Sequence, residues 1–326
     1  MTKKVIYIKL TNACNLKCKH CYNEIMQNHS FMSDNVLNQT IQYIKTFKNT
    51  EIDLHIHGGE PLLFDLDKIE YLISELKDYT FKWTVTTNLI YEITDKYLNI
   101  FKKMLPYDNN PLILTSWDYK IRFKDNQQSL WENNVKYLIE KGIQVQPIVC
   151  LTNLLIENLK PEDIFLYFKR FNIKRFNFER ITNTGNALVN NLRPTNENLQ
   201  NWLLNAYKIY EKQKDIEIPL FTGLEYSLKG IFLGCRNRQC TNNVITINPN
   251  GTIASCPNTA DYTFNDIFTN NLQVSKKDYI TNKENSKDLR CLICEFYKYC
   301  NGDCFQLEFD NTNCPGLKKL YKYLLK

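Results

Sequence analysis

Short apolar runs and amphipathic segments of helical period alternate through about the first 190 residues. Val5-Ile6-Tyr7-Ile8-Lys9-Leu10 reads as a buried strand that runs straight into a cysteine-bearing loop. Ser33 then stands ahead of Val36, Leu37, Ile41, Ile44 and Phe47 at helical spacing, which predicts a capped helix. Ile52-Asp53-Leu54-His55-Ile56 is the second strand, followed by a helix with Ile69, Leu72, Ile73 and Leu76. Phe81 to Thr86 is the third strand, and Ile93, Tyr97, Leu98 and Phe101 mark the next helix. Leu112-Ile113-Leu114-Thr115 is the fourth strand. An amphipathic segment from Leu130 to Lys141 stops at Gly142, before the strand Val145 to Val149. A helix around Ile164 and Phe168 and the strand Arg175-Phe176-Asn177-Phe178 complete six strand-helix units.

That order predicts an α/β fold, a parallel sheet with helices outside that right-handed crossovers roll into a partial (β/α)6 barrel. Three regions are expected: the barrel over 1-190, a helical bridge over 191-232, and a small cysteine-rich domain over 233-326. The last contains a β-hairpin, with Asn250-Gly251 turning between Val244-Ile245-Thr246-Ile247 and Thr252-Ile253-Ala254. The Lys-rich end from Leu317 to Lys326 reads as a short amphipathic helix that packs as a cap.

Active sites on such barrels lie at the C-terminal strand ends. Every candidate motif falls there: the cysteine loop after strand one, Gly58 after strand two, Thr87-Asn88 after strand three, Ser116-Trp117-Asp118 after strand four, and Arg180-Ile181-Thr182 after strand six. His55 and His57 share one strand face, as barrel lining or as a metal pair, and lining is the commoner use. Cys150 has no cysteine neighbour and reads as a small core residue.

Cys14, Cys18 and Cys21 are spaced CxxxCxxC. Three thiolates on a four-iron cubane leave one iron without a protein ligand and open to another molecule. A zinc site or buried structural cysteines are the alternatives. His57-Gly58-Gly59-Glu60-Pro61 follows the second strand; paired glycines admit close backbone approach, Glu60 offers an acceptor for an ammonium, and Pro61 fixes the chain direction.

The chain of 326 residues is 43% hydrophobic, enough for a large core, and its net charge of +6 calls for no nucleic acid. It has no apolar run long enough to span a bilayer and no signal-peptide pattern ahead of the first strand, so a cytoplasmic protein without membrane contact is expected. Twelve cysteines in a reducing compartment point to metal or catalysis, not disulfides.

The CxxxCxxC loop and GGEP together resemble the radical S-adenosylmethionine (SAM) enzymes, and the resemblance covers the whole predicted barrel. It implies a [4Fe-4S] cluster on Cys14, Cys18 and Cys21 whose open iron chelates SAM, with cleavage of SAM to methionine and a 5'-deoxyadenosyl radical. It also implies a SAM site of Gly58, Gly59, Glu60 and Pro61 at the methionine amino group, with Asn88, Ser116 and Asp118 near the ribose and carboxylate. Arg180 would meet the carboxylate, Ile181 would pack on adenine, and His20 would lie against the cluster or adenine.

The later cysteines, with Cys240 before a Gly251-xxxx-Cys256 hairpin and then Cys291, Cys294, Cys300, Cys304 and Cys314, resemble the SPASM domain of peptide- and protein-maturing radical SAM enzymes. That resemblance implies two auxiliary [4Fe-4S] clusters, one on Cys235, Cys240, Cys256 and Cys304, the other on Cys291, Cys294, Cys300 and Cys314. Zinc knuckles are the alternative. Full thiolate ligation would suit electron transfer or support.

These readings lead to a radical SAM oxidoreductase that modifies a peptide or protein oxidatively, by cross-link, thioether or side-chain oxidation. A dehydrogenase or epimerase of small molecules is the runner-up; a zinc-stabilised scaffold or iron-sulfur electron carrier is the non-enzyme reading. Sulfatase maturation is put in doubt because Pro257 stands where sulfatase-maturating relatives carry an Asp. The chain begins at the barrel and ends soon after Cys314, so a leader would need a separate leader-binding protein or direct recognition. An electron donor such as flavodoxin or ferredoxin is the other expected partner. The sequence names no catalytic acid or base.

Overall fold

Among the described residues the sheet has nine strands, running from Asn177–Arg180 at one edge to Asn265–Asp266 at the other, with β1 (Thr2–Thr11) inside it. The computed structural model describes residues 2–23, 30–80, 82–104, 113–182, 184–260, 265–266, 285–286, 288–311 and 313–326. Phe81 and Leu112, assigned to strands by the sequence pattern, and the side chain of Cys235 lie outside the described residues.

β2 (Thr50–Gly58), β3 (Lys82–Thr86), β4 (Ile113–Trp117), β5 (Val145–Leu151) and β6 (Asn177–Arg180) follow β1 in parallel register. Helices α1 (Asp34–Lys45), α2 (Leu66–Leu76), α3 (Asp95–Lys103), α4 (Gln127–Glu140), α5 (Asn153–Asn158) and α6 (Pro161–Lys169) fall between them. The α/β fold with its parallel sheet is thus as the hydrophobic pattern predicts.

Period-two alternation decides which face is which. Ile6, Ile8 and Leu10 of β1 and Ile52, Leu54 and Ile56 of β2 are fully buried under the helices, and α1 meets them with Leu37, Ile41 and Ile44. Ser33 caps α1 by accepting the Val36 N–H at 3.3 Å. On β4 the same alternation sends Thr115 outward, where its Oγ1 accepts the Trp131 Nε1–H of α4 at 2.9 Å, and leaves Ser116 on the inner face.

The hairpin does more than decorate the C-terminal region. β7 (Val244–Ile247) pairs with β1 in parallel from Val5↔Val244 to Ile8↔Ile247, and β8 (Thr252–Ala254) and β9 (Asn265–Asp266) extend the sheet antiparallel. The barrel is open between β1 and β6, so the outer edge of β1 would present unpaired N–H and C=O groups, which β7 takes up.

Between β6 and the hairpin lie α7 (Asn186–Val189), α8 (Asn196–Tyr210) and α9 (Pro219–Leu228). The terminal helix Lys318–Leu324 buries Leu320 and Tyr321, and Tyr321 Oη lies 2.9 Å from Ser227 Oγ of α9. It is a packed cap. Among the described residues, no helix is long and apolar enough to cross a membrane.

Candidate active site

The cysteine loop is laid against the end of β2 by main-chain hydrogen bonds, Gly59 N–H to the Thr11 carbonyl and Glu60 N–H to the Ala13 carbonyl, each at 2.8 Å. Only glycine permits this approach. A Cβ on Gly58, which has φ +148°, would stand 2.2 Å from the Thr11 oxygen, and one on Gly59 would stand 2.3 Å from the Ala13 oxygen. The close approach read from the paired glycines is therefore made, and its object here is the cysteine loop.

Glu60 is fully buried and ties three strand ends together. Its carboxylate accepts from Leu62 N (3.1 Å), Thr87 Oγ1 (2.8 Å) and Asn88 N (2.7 Å). Asn88 passes the brace on, donating from Nδ2 to Asn15 Oδ1 at 2.7 Å, while Asn15 donates to the Ile90 carbonyl at 2.7 Å. Asn88 Nδ2 also lies 3.8 Å from Cys14 Sγ. Pro61 opens a one-turn helix over Pro61–Leu63.

Burial pushes the Glu60 carboxyl up to about 7 against the opposing pull of its three donors. A carboxyl raised on folding binds its proton more tightly in the native state. Its contribution to stability is whole below the ordinary range near 4.5 and is lost as pH rises toward 7. Thermal melting of the wild type should therefore fall between pH 5 and 7.5 more steeply than that of Glu60→Gln, which cannot titrate. Parallel curves would show that this carboxyl does not titrate in that window.

The three thiols feel one another. Burial raises Cys14 to about 11 and Cys18 to about 12, and the neighbouring thiolates add to both, Cys21 among them. Such thiols hold their protons at neutral pH unless a metal replaces them, which is the donor chemistry an iron-sulfur centre requires. The arrangement fits that group.

Beside Cys18 sits a cluster that sequence reasoning found only in part. Asp118 is buried at the end of β4 and accepts from Arg122 at its main-chain N (2.7 Å) and at Nε (3.0 Å). Arg122 Nη2 reaches to 3.4 Å of His20 Nε2. Burial lowers His20 to about 4, so it is neutral; burial also works against the Arg122 charge, which its ion pair with Asp118 holds. Ligand atoms of His20, Asp118 and Cys150 lie within 4.8 Å of one another, but the guanidinium contacts both His20 and Asp118 and would repel a cation placed among them. Arg122 was missed because it lies past the strand end with no motif; an arginine four residues after a strand-end aspartate was the available signal.

The other expected contacts separate. Ser116 lies half-buried on the inner face, and Ile181 packs with Cys150 and Ala187. Arg180 has another partner than the one foreseen from resemblance. Its guanidinium makes a bidentate pair with Asp303 (2.9 and 2.8 Å) and donates to the Pro315 carbonyl at 3.3 Å. His55 and His57 line the barrel, His55 against the Tyr7 ring at 4.7 Å and His57 Nε2 3.1 Å from Tyr22 Oη. Burial lowers both to about 3.

In the C-terminal region Cys291, Cys294, Cys300 and Cys314 converge. Cys314 feels the Cys294 and Cys291 charges, Cys300 feels that of Cys314, and burial raises the Cys300 thiol to about 12. Of the other set, Cys256 Sγ accepts from Gln306 Nε2 at 3.0 Å, and Cys304 N–H donates to Asp303 Oδ1 at 2.8 Å. Cys240 opens the turn Cys240–Asn243 that leads into β7.

Residues 8–168 match the model of the radical SAM superfamily. The chain carries a radical SAM domain. The chain is 32% identical over 124 residues to glutamate 2,3-aminomutase of Clostridioides difficile, a match spanning 34% of this chain and 29% of that protein. It is 24% identical to the radical SAM cyclopropyl synthase TigE of Paramaledivibacter caminithermalis, over 99% of this chain and 73% of TigE. Similarity to the cysteine-type anaerobic sulfatase-maturating enzyme of Clostridium perfringens is 22% over 96% of this chain and 94% of that enzyme.

Among solved structures, anSMEcpe with bound AdoMet and Kp18Cys peptide superposes with a TM-score of 0.77 at 17% identity, covering 98% of this chain and 95% of that one. Streptococcus suis SuiB bound to its precursor peptide SuiA gives 0.64 at 16% identity, covering 96% and 76%. Both show the radical SAM fold. A radical SAM domain implies a [4Fe-4S] cluster and SAM as cofactors.

Proposed function

We propose that this radical SAM enzyme modifies a peptide or protein oxidatively. The observation that carries the reading is the convergence of Cys14, Cys18 and Cys21 at the barrel rim, with a second cysteine-rich region locked onto the end of β6 through Arg180 and Asp303. Cys14, Cys18 and Cys21 would hold a [4Fe-4S] cluster, which would supply the electron for reductive cleavage of SAM. The protein's part is to choose one hydrogen by position and to exclude other donors.

The residues named for SAM keep those roles in the proposal. Gly58, Gly59, Glu60 and Pro61 shape the methionine end, Asn88, Ser116 and Asp118 line the approach, and His20 with Arg122 closes the side beside Cys18. Arg180 is assigned to Asp303 instead of SAM. Glu179 is added as a substrate-facing group. Phe178 packs into the helix-side core against Trp202 and Phe221, so Glu179 points inward on β6, opposite Cys150. Its side chain is open to water yet ringed by protein, and burial raises its carboxyl.

Auxiliary [4Fe-4S] clusters on Cys235, Cys240, Cys256 and Cys304 and on Cys291, Cys294, Cys300 and Cys314 belong to the proposal, as do a leader-binding protein and a flavodoxin or ferredoxin donor. Both anSMEcpe with its bound Kp18Cys peptide and SuiB bound to precursor peptide SuiA, whose matches reach most of this chain, support a peptide over a small molecule. Sulfatase maturation is not proposed: Pro257 follows Cys256 and opens the turn Pro257–Thr259, with no carboxylate at that position.

The test is anaerobic reconstitution, iron and sulfide analysis, and a 5'-deoxyadenosine assay with dithionite, with and without a small open reading frame co-expressed from a neighbouring gene. About twelve irons per chain for three cubanes, SAM cleavage, and a peptide lighter by hydrogen atoms are expected. Zinc without cleavage rejects the enzyme, and turnover of a small molecule with no peptide requirement moves the reading to a dehydrogenase or epimerase.

A further inference from the structure

Arg236 is 5% exposed, and two of its donors have no hydrogen-bond partner among the described residues. It lies on the one-turn helix Gly234–Asn237, and its Nε is 3.9 Å from Asp303 Oδ2, beyond hydrogen-bonding reach. Asp303 is already engaged: Arg180 Nη1 and Nη2 take its two oxygens at 2.9 and 2.8 Å, and Cys304 N–H adds a third bond at 2.8 Å. Arg236 Nε and Nη2 are buried without an acceptor among the described residues. A guanidinium in that condition is among the costliest buried groups, and its presence calls for an anionic acceptor at that place.

The surroundings say which. Arg236 is one of the positive charges acting on the Cys300 thiol, and its main chain is fixed to the same turn, with Asn301 Nδ2 donating to the Arg236 carbonyl at 2.9 Å. A Cβ on Gly316 would lie 3.0 Å from Cys300 Sγ and 4.0 Å from Cys314 Sγ, so the glycine leaves free the space these sulfurs face. On its other side Arg236 is backed by α9, where a Cβ on Gly223 would meet Nη1 at 3.3 Å.

We propose that Arg236 donates from Nε and Nη2 to the sulfurs of a [4Fe-4S] cluster held by Cys291, Cys294, Cys300 and Cys314, and thereby raises the reduction potential of that cluster. The inference rests on the auxiliary-cluster reading above. Four thiolates around a [4Fe-4S]2+ core leave a net charge of two minus, and taking up one electron makes it three minus. A fixed guanidinium stabilises the more negative state more strongly, and hydrogen bonds to sulfur act in the same sense. Asp303 cannot cancel this, because Arg180 already balances it. Arg236 touches the cluster and not the substrate.

The experiment uses the full chain, reconstituted anaerobically, with iron and sulfide counted and the clusters followed by EPR during redox titration. In Arg236→Met with wild-type iron content, one couple should shift so that its reduced fraction at fixed potential falls at least about tenfold, which is about 59 mV for one electron. Arg236→Lys should shift it less, and the couple that responds to SAM should not move. Coincident titrations of wild type and Arg236→Met overturn the proposal while leaving the clusters in place. A wild type with only about four irons removes the auxiliary cluster and the proposal with it. Should Arg236→Met lose iron, wild-type protein labelled with 15N-arginine decides by pulsed EPR: a 15N coupling on a reduced auxiliary cluster supports the contact, and its absence from every cluster overturns it.

Discussion

Cys18→Ala is expected to stop SAM cleavage while leaving the barrel folded. Cys18 is the most enclosed of the three loop thiols, 8% exposed, beside the Asp118–Arg122 pair. Losing its sulfur leaves the loop with two ligands and no route to a cubane with one open iron. 5'-deoxyadenosine formation should fall at least about a thousandfold, or about 4 kcal/mol of barrier. The stability loss should be only about 1 kcal/mol, because the side chain shrinks by one atom. Iron bound by the C-terminal cysteines should remain. Cys150→Ala is the control, since Cys150 packs with Ile181 and Ala187 and is assigned no ligand role. Cleavage surviving in Cys18→Ala, or lost equally in Cys150→Ala, would overturn the assignment of the three-thiol site.

The barrel was legible because each of its signals is local. Ile6, Ile8 and Leu10 alternate with polar neighbours, and Leu37, Ile41 and Ile44 repeat at helical spacing, so face and element follow from a window of a few residues. The cysteine loop was legible for the same reason. What escaped depends on long-range pairing. Nothing within Val244 to Ile247 says that the strand will lie parallel to β1, some 240 positions earlier; only the edge left by an open barrel requires it. Glu60 was read as a ligand contact, and the structure shows its carboxylate spanning from Leu62, close by in the chain, to Thr87 and Asn88, which become its neighbours only once the ends of β2 and β3 meet. Arg122 and Arg236 had no motif at all. Their meaning comes from burial, and burial of a charged side chain is what a sequence reports least well.

Arg180→Met should cost about 3–5 kcal/mol, because it leaves the Asp303 carboxylate buried without its bidentate partner. The pair is enclosed on both sides, with the side chains of Arg180 and Asp303 9% and 1% exposed. Burial alone would raise the Asp303 carboxyl, but Arg180 and Arg236 hold it well below the usual carboxylate range. A carboxyl depressed on folding contributes stability above its ordinary range, and that contribution is lost as pH falls. The gap between wild type and Arg180→Met, measured by denaturant titration, should therefore narrow under acid. Arg180→Met with Asp303→Leu should recover much of the loss, since removing both charges leaves neither one stranded. The functional consequence separates two steps. Arg180 ends β6 beside the inward-facing Glu179, and Asp303 stands next to Cys304, so this pair couples the barrel rim to the C-terminal cysteines. Cys14, Cys18, Cys21 and the GGEP turn lie on other strand ends. Arg180→Met at a temperature where it stays folded should still form 5'-deoxyadenosine while the yield of modified peptide per SAM cleaved drops at least about tenfold, about 1.4 kcal/mol of lost coupling. An unchanged ratio of product to 5'-deoxyadenosine would show that the clamp holds the fold and nothing more.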